Sequence, residues 1–128
     1  MATNRYAAAA EFRAELRRFL KRSEDCARAH DLTPRQHLLL LQIAGAEGEQ
    51  TTVSELVSTL ALTQSAVTEL VQRAEAAGLV SRTPSERDGR VVILSLTPTG
   101  QARLDGVYEA LGVERAQLHR VIESLGDG

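Results

Sequence analysis

The sequence predicts a mainly α fold with a small β-hairpin wing, a winged helix-turn-helix flanked by long helices at both ends. Three observations carry this. Two short amphipathic segments meet at the tight turn "ALT", Ala61 to Thr63. A β-branched and aliphatic run, "RVVILSLT", follows them across an acid-glycine turn, Asp88-Gly89. Both ends of the chain repeat apolar residues at helical spacing.

With 128 residues, 43% of them hydrophobic and 25% charged, the chain has the composition of one globular domain, residues 1–128. Its expected division is a winged helix over 33–97, with outer helices over 1–30 and 98–128. No apolar run approaches the ~20 residues that cross a bilayer, so no membrane partner is expected. The opening "MATNRYAAAAEFRAELRRFL" mixes arginines and glutamates throughout, unlike a signal peptide. The single cysteine, Cys26, excludes an internal disulfide and fits a reducing, cytoplasmic setting.

The elements follow in order. From about Asn4 to Ala29, Ala9, Phe12, Leu16, Phe19, Leu20, Cys26 and Ala27 fall at spacings of three and four, predicting one long amphipathic helix. "LTPRQ" then supplies Thr33 as N-cap, Pro34 at the first helical position and Gln36 to close a capping box. The next stretch, "HLLLLQIA", is apolar nearly all round, predicting a helix central to the core. Thr52 and Glu55 suggest another capping box, ahead of the stripe Val53, Leu56, Val57 and Leu60. Thr63 caps a further helix that runs to Ala77 and stops at Gly78, where a left-handed residue is wanted.

Projected at 100° per residue, Val67, Leu70, Val71, Ala74 and Ala77 of that helix share one arc. Gln64, Ser65, Thr68, Glu69, Gln72 and Arg73 share the other, and its first turn carries short side chains able to reach base edges in a major groove. Two strands, "LVSRT" and "RVVILSLT", complete a hairpin.

Net charge is −2, yet it is unevenly spread. Residues 36–72 hold four acids and no base, whereas residues 73–103 hold five arginines against three acids. The hairpin is thus basic, with Arg87 and Arg90 at its tip. A guanidinium in a narrow minor groove gains electrostatic energy without reading bases.

The stretches "LTPRQHLLLLQIAG", "LVQRAEAAGLVSR" and Asp88-x-Arg90…Leu96-Thr97-x-x-Gly100 resemble the MarR family of dimeric winged-helix transcription regulators, over roughly residues 30–104. The resemblance implies sequence-specific binding to double-stranded DNA as a homodimer, as a repressor. It implies a recognition helix reading DNA through Thr63, Gln64, Ser65, Thr68, Gln72 and Arg73. It implies a wing contributing Arg82, Arg87, Asp88 and Arg90, with Asp88 orienting the arginine that enters the minor groove. The chain departs from the family in having Gly89 where a second arginine is frequent, and Glu69 where a small or basic residue is frequent. Both departures point to weaker or more selective DNA binding.

The tail is short for the family. Thr97 and Pro98 open a helix carrying Leu104, Leu111, Leu118 and Leu125 seven apart, with Val121 and Ile122 repeating Val107 and Tyr108. Such heptads suit packing along another helix, and Gly112 leaves open whether the segment is one helix or two. The resemblance implies that the terminal helices interdigitate in a dimer; the alternative is a helical hairpin within a monomer. A two-fold dimer sets its recognition helices ~34 Å apart, calling for an inverted-repeat operator.

Many relatives release DNA on binding small aromatic acids between the dimerisation helices and the winged domain. That cleft would lie near Arg13, Arg17 and His37, making a small-molecule effector a candidate partner. Cys26, on an apolar helix face beside Glu24 and Asp25, has the setting of an inert thiol. Cys26, His30 and His37 fall short of a converging zinc set, because "TGQARLDGVYEALGV" holds no histidine; neither a metal nor a cofactor is expected. No Gly-rich phosphate loop, paired carboxylates or nucleophile beside a base suggests an enzyme. The competing reading is a winged-helix module that binds protein, or a regulator with degraded DNA affinity.

Overall fold

A computed structural model describes residues 4–126. Helix α1 spans Ala7–Ala29, and α2 spans Pro34–Gly45. A short 3-10 turn, Glu47–Glu49, leads to strand β1 at Gln50–Thr51. Helices α3 (Val53–Leu60) and α4 (Gln64–Ala76) precede strands β2 (Val80–Pro84) and β3 (Val92–Leu96), and α5 (Pro98–Ala110) and α6 (Gly112–Gly126) close the chain. The architecture is mainly α with a small antiparallel sheet, a winged helix-turn-helix between terminal helices.

Local chemistry sets most of the boundaries. Thr33 accepts from the Gln36 amide at 3.1 Å while the Gln36 side chain accepts from the Thr33 amide at 3.0 Å, a complete capping box with Pro34 behind it. The Thr63 hydroxyl caps α4 on the Ala66 amide, and Thr97 caps α5 on Gly100. Gly78 ends α4 with φ +75, a conformation that costs a residue with a Cβ. Ala61 takes the left-handed conformation (φ 54, ψ 41) to end α3, allowing the tight turn into α4.

Three expectations need correction. Helix α1 starts at Ala7 rather than near Asn4, because the Asn4 side chain and carbonyl bind the amides of Tyr6 and Ala7 in a turn. Glu55 does not close a capping box: Thr52 accepts from its amide, but its carboxylate takes the buried Thr51 hydroxyl at 2.7 Å. Ala77 is exposed, since it lies past the last turn of α4. The expected acid-glycine turn is present, the Val91 amide bonding the Asp88 carbonyl at 2.9 Å across Gly89 and Arg90, at the tip of a longer loop. The ladder ends at Pro84 opposite Val92, the Ser85 amide bonds the Val91 carbonyl at 2.8 Å, and Gly89 keeps a negative φ.

The sheet has the order β1-β3-β2. Strand β1 pairs Gln50 with Ser95 and Thr51 with Leu94, giving β3 a neighbour on each side. The core gathers Leu39, Leu40 and Ile43 of α2, Leu56 of α3, Val67, Leu70, Val71 and Ala74 of α4, and Leu94 of β3. Cys26 and Ala27 of α1 and Leu104, Val107 and Leu111 of α5 and its C-cap belong to the same cluster. The terminal helices therefore help complete the core of the winged helix, as well as packing on each other, α1 along α6. The chain breaks at Leu111 into two helices, which settles the question left by Gly112. A Cβ on Gly100 would collide with the Leu79 carbonyl oxygen, so a glycine is required where α5 meets the end of α4.

Candidate nucleic-acid interface

Helix α4 is anchored by its apolar arc: Val67, Leu70, Val71 and Ala74 are buried, and α3 packs against it. This fixes what the opposite arc presents. Thr63, Gln64, Ser65, Gln72 and Arg73 are exposed and Thr68 is half-buried. The Thr63 hydroxyl serves the Ala66 amide as N-cap. Gln64 and Ser65 occupy the first turn, where amides without helical partners add a positive end. Arg73 is tied to Glu69 one turn earlier, Nη2 to Oε1 at 2.6 Å.

The wing tip holds Arg87, Asp88 and Arg90, all exposed. The Arg90 amide donates to Asp88 Oδ1 at 3.0 Å, and the Arg87 amide donates to Ser85 Oγ at 3.2 Å. The Val91 amide closes the turn on the Asp88 carbonyl at 2.9 Å. Asp88 thus orders the backbone of Arg90 and leaves its guanidinium outward, without an ion pair among the described residues. Arg82 lies apart from the tip, on β2 opposite Leu94, and its guanidinium is 3.7 Å from Glu75 near the end of α4. That contact joins the wing's first strand to α4.

The cleft near α2 differs from the expected one in its residues. A cavity of about 410 Å³ is lined by Phe19, Leu20, His37, Leu38, Leu41 and Tyr108, with Glu24, Arg35 and Arg115 among its charged groups. His37 belongs to it, but Arg13 and Arg17 line a separate shallow groove with Leu16 and Lys21. They sit on a different stripe of α1 from Phe19 and Ser23, which line the cavity. Two of the chain's four aromatic residues contribute, although they are scattered through the sequence. Arg115 stacks over the Tyr108 ring at 3.7 Å and donates to the Tyr108 carbonyl at 3.1 Å, so α6 supplies a cation to a cavity roofed by α5. Burial lowers the His37 pKa from the ordinary value of 6.5. Elsewhere, Cys26 is buried, and His30 Nδ1 donates to its carbonyl at 2.9 Å.

The chain's residues 30–91 match the family model described as MarR family. A sequence comparison with curated proteins found no match. Among solved structures, the chain is similar to YusO protein from Bacillus subtilis, at 23% identity and a TM-score of 0.69, covering 94% of this chain and 92% of that one. It is similar to AbsC, a MarR family transcriptional regulator from Streptomyces coelicolor, at 24% identity and a TM-score of 0.69, covering 98% and 83%. It is also similar to a mutant MarR from Escherichia coli complexed with operator DNA, at 19% identity and a TM-score of 0.68, covering 96% and 99%. The resemblance of this chain to the MarR family of winged helix-turn-helix transcription regulators thus rests on a sequence match in its central segment and a shared fold over nearly its whole length.

Proposed function

We propose that the chain is a sequence-specific DNA-binding transcription regulator, a repressor that acts as a homodimer on an inverted-repeat operator. The observation that carries this reading is the exposed arc of α4. Its buried arc is committed to the core, while Gln64, Ser65 and Gln72 are exposed, make no side-chain hydrogen bond among the described residues, and carry the donors and acceptors that base edges require. The wing adds Arg87 and Arg90 on an ordered turn, suited to phosphate or minor-groove contact. The E. coli relative was solved with operator DNA, which agrees with this assignment.

The cavity beside His37 is the candidate seat of a small-molecule effector. Its walls are mainly apolar, and Arg35 and Arg115 would favour an anionic group on the molecule. Arg13 and Arg17 have no part in it.

A gel shift with the DNA upstream of the protein's own coding sequence tests the reading. One fragment containing an inverted repeat should be retained in the presence of excess random duplex. Equal competition by random duplex would leave a non-specific binder. No shift at all would favour the protein-interaction module, for which the acid-rich residues 36–72 are the best support.

A further inference from the structure

Glu69 presents a problem that the DNA-binding reading alone does not resolve. It lies on the exposed arc of α4, four residues after Ser65 and three before Gln72, so it shares their side of the helix. Its side chain is 63% exposed. A bare carboxylate beside DNA phosphates is repelled, and α4 already carries two carboxylates against one guanidinium.

The surroundings of Glu69 offset that repulsion. Arg73 Nη2 donates to Oε1 at 2.6 Å, which offsets part of the carboxylate's charge and engages one of its oxygens. Arg35, in the first turn of α2, lines the same shallow groove as Ala66, Glu69, Leu70 and Arg73 and brings a second cation beside it. Oε2 has no hydrogen-bond partner among the described residues. The carboxylate is therefore held by one oxygen and offers the other as an acceptor. In the major groove, cytosine presents an N4 amino donor, which a carboxylate can accept, whereas guanine presents acceptors at N7 and O6.

We propose that Glu69 is a specificity-determining residue that selects cytosine at one position of each operator half-site, with Arg73 as its positioning residue. The inference rests on the DNA-binding reading above. It assigns Glu69 a base preference in place of a merely repulsive charge. Guanine at that position would set acceptor against acceptor, so discrimination comes from rejection as well as attraction.

The test is selection from a library of random duplex DNA by the full-length wild-type chain, Glu69→Gln and Glu69→Ala, followed by affinity measurements on the enriched sequences. Wild type should enrich cytosine at one fixed position per half-site. Glu69→Gln should move that position to adenine, which glutamine reads through N6 and N7, with discrimination against the original base pair changing by on the order of tenfold. Glu69→Ala should relax the position without a new preference, and all other positions should stay as in wild type. Tighter binding of both variants to every sequence, with base preferences unchanged, would show a simple repulsive charge and overturn the proposal. Unchanged affinity and preference would place Glu69 outside the interface, also overturning it while leaving the DNA-binding reading intact. Failure of wild type to enrich any sequence would overturn both.

Discussion

Asp88 and Arg90 are joined through one bond, from the Arg90 amide to the Asp88 carboxylate, and that bond separates charge from geometry. An asparagine at 88 keeps the oxygen that accepts from the amide and loses the negative charge; an alanine loses both. If the wing contacts DNA, Asp88→Asn should bind as tightly as wild type or more so, because one repulsive charge is gone. Asp88→Ala should bind more weakly, because an unordered loop must be fixed at the moment of contact. Arg90→Ala should weaken binding on all sequences and flatten the dependence of log K on log salt by about 0.9 for each phosphate no longer neutralised. Titrations of the three variants across a salt series check this. Tighter binding by Asp88→Ala would mean that the turn's order is irrelevant to DNA.

At the scale of elements, the helix caps carry uneven loads. Thr33 exchanges two bonds with Gln36, whereas Thr52 makes one cap bond and Glu55 is committed to Thr51. Helix α2 also holds Leu39, Leu40 and Ile43 at the centre of the core, so fraying at its start reaches the packing of the whole domain. Thr33→Ala should cost about 1 kcal/mol, read from urea unfolding, and Thr52→Ala should cost less. One turn into the same helix, His37 gives stability a pH dependence. Burial disfavours its charged form, so the folded chain holds this proton less tightly than the unfolded chain does. The His37 contribution should be complete above pH 6.5 and decline as pH falls through that ordinary value, levelling off below the lowered folded pKa. Glu24, Arg35 and Arg115 line the same cavity and set its field. The urea midpoint of wild type should therefore fall more between pH 8 and pH 5.5 than that of His37→Gln; equal falls would exclude this source.

For the whole molecule, the decisive question is how the terminal helices divide their surface. Their apolar residues do not all serve the chain itself: Val121 is buried, yet Val113 is 78% exposed and Ile122 is 47% exposed on the same helix. In the proposed two-fold dimer, these two are candidates for burial against the second copy. The double change Val113→Glu and Ile122→Glu spares the intrachain core and puts a charge at each exposed position. It should yield a folded monomer by sedimentation equilibrium and circular dichroism, with weakened binding to an inverted repeat. Persistence of a dimer would move the interface away from both residues; a monomeric wild type at micromolar concentration would remove the dimer altogether.

What the sequence by itself determined is local. Thr33-Pro34-Gln36, Thr63, Gly78 and Thr97-Pro98 set helix ends through bonds or backbone conformations spanning a few residues, so spacing alone exposed them. The buried arc of α4 was legible for the same reason, since helical periodicity fixes which side chains share a face. The tertiary structure decided what depended on distant partners. Strand β1, two residues long, exists because Gln50 and Thr51 meet Ser95 and Leu94, and no two-residue pattern can announce such a pairing. Glu55 abandoned its cap for a hydroxyl buried by that strand. The cavity took Phe19, Tyr108, Arg35 and Arg115 from four helices and left Arg13 and Arg17 outside, since membership depends on how α1 turns against α2, α5 and α6. Helix phase gives a side chain its direction along one element; only the packing of several elements gives it a neighbour.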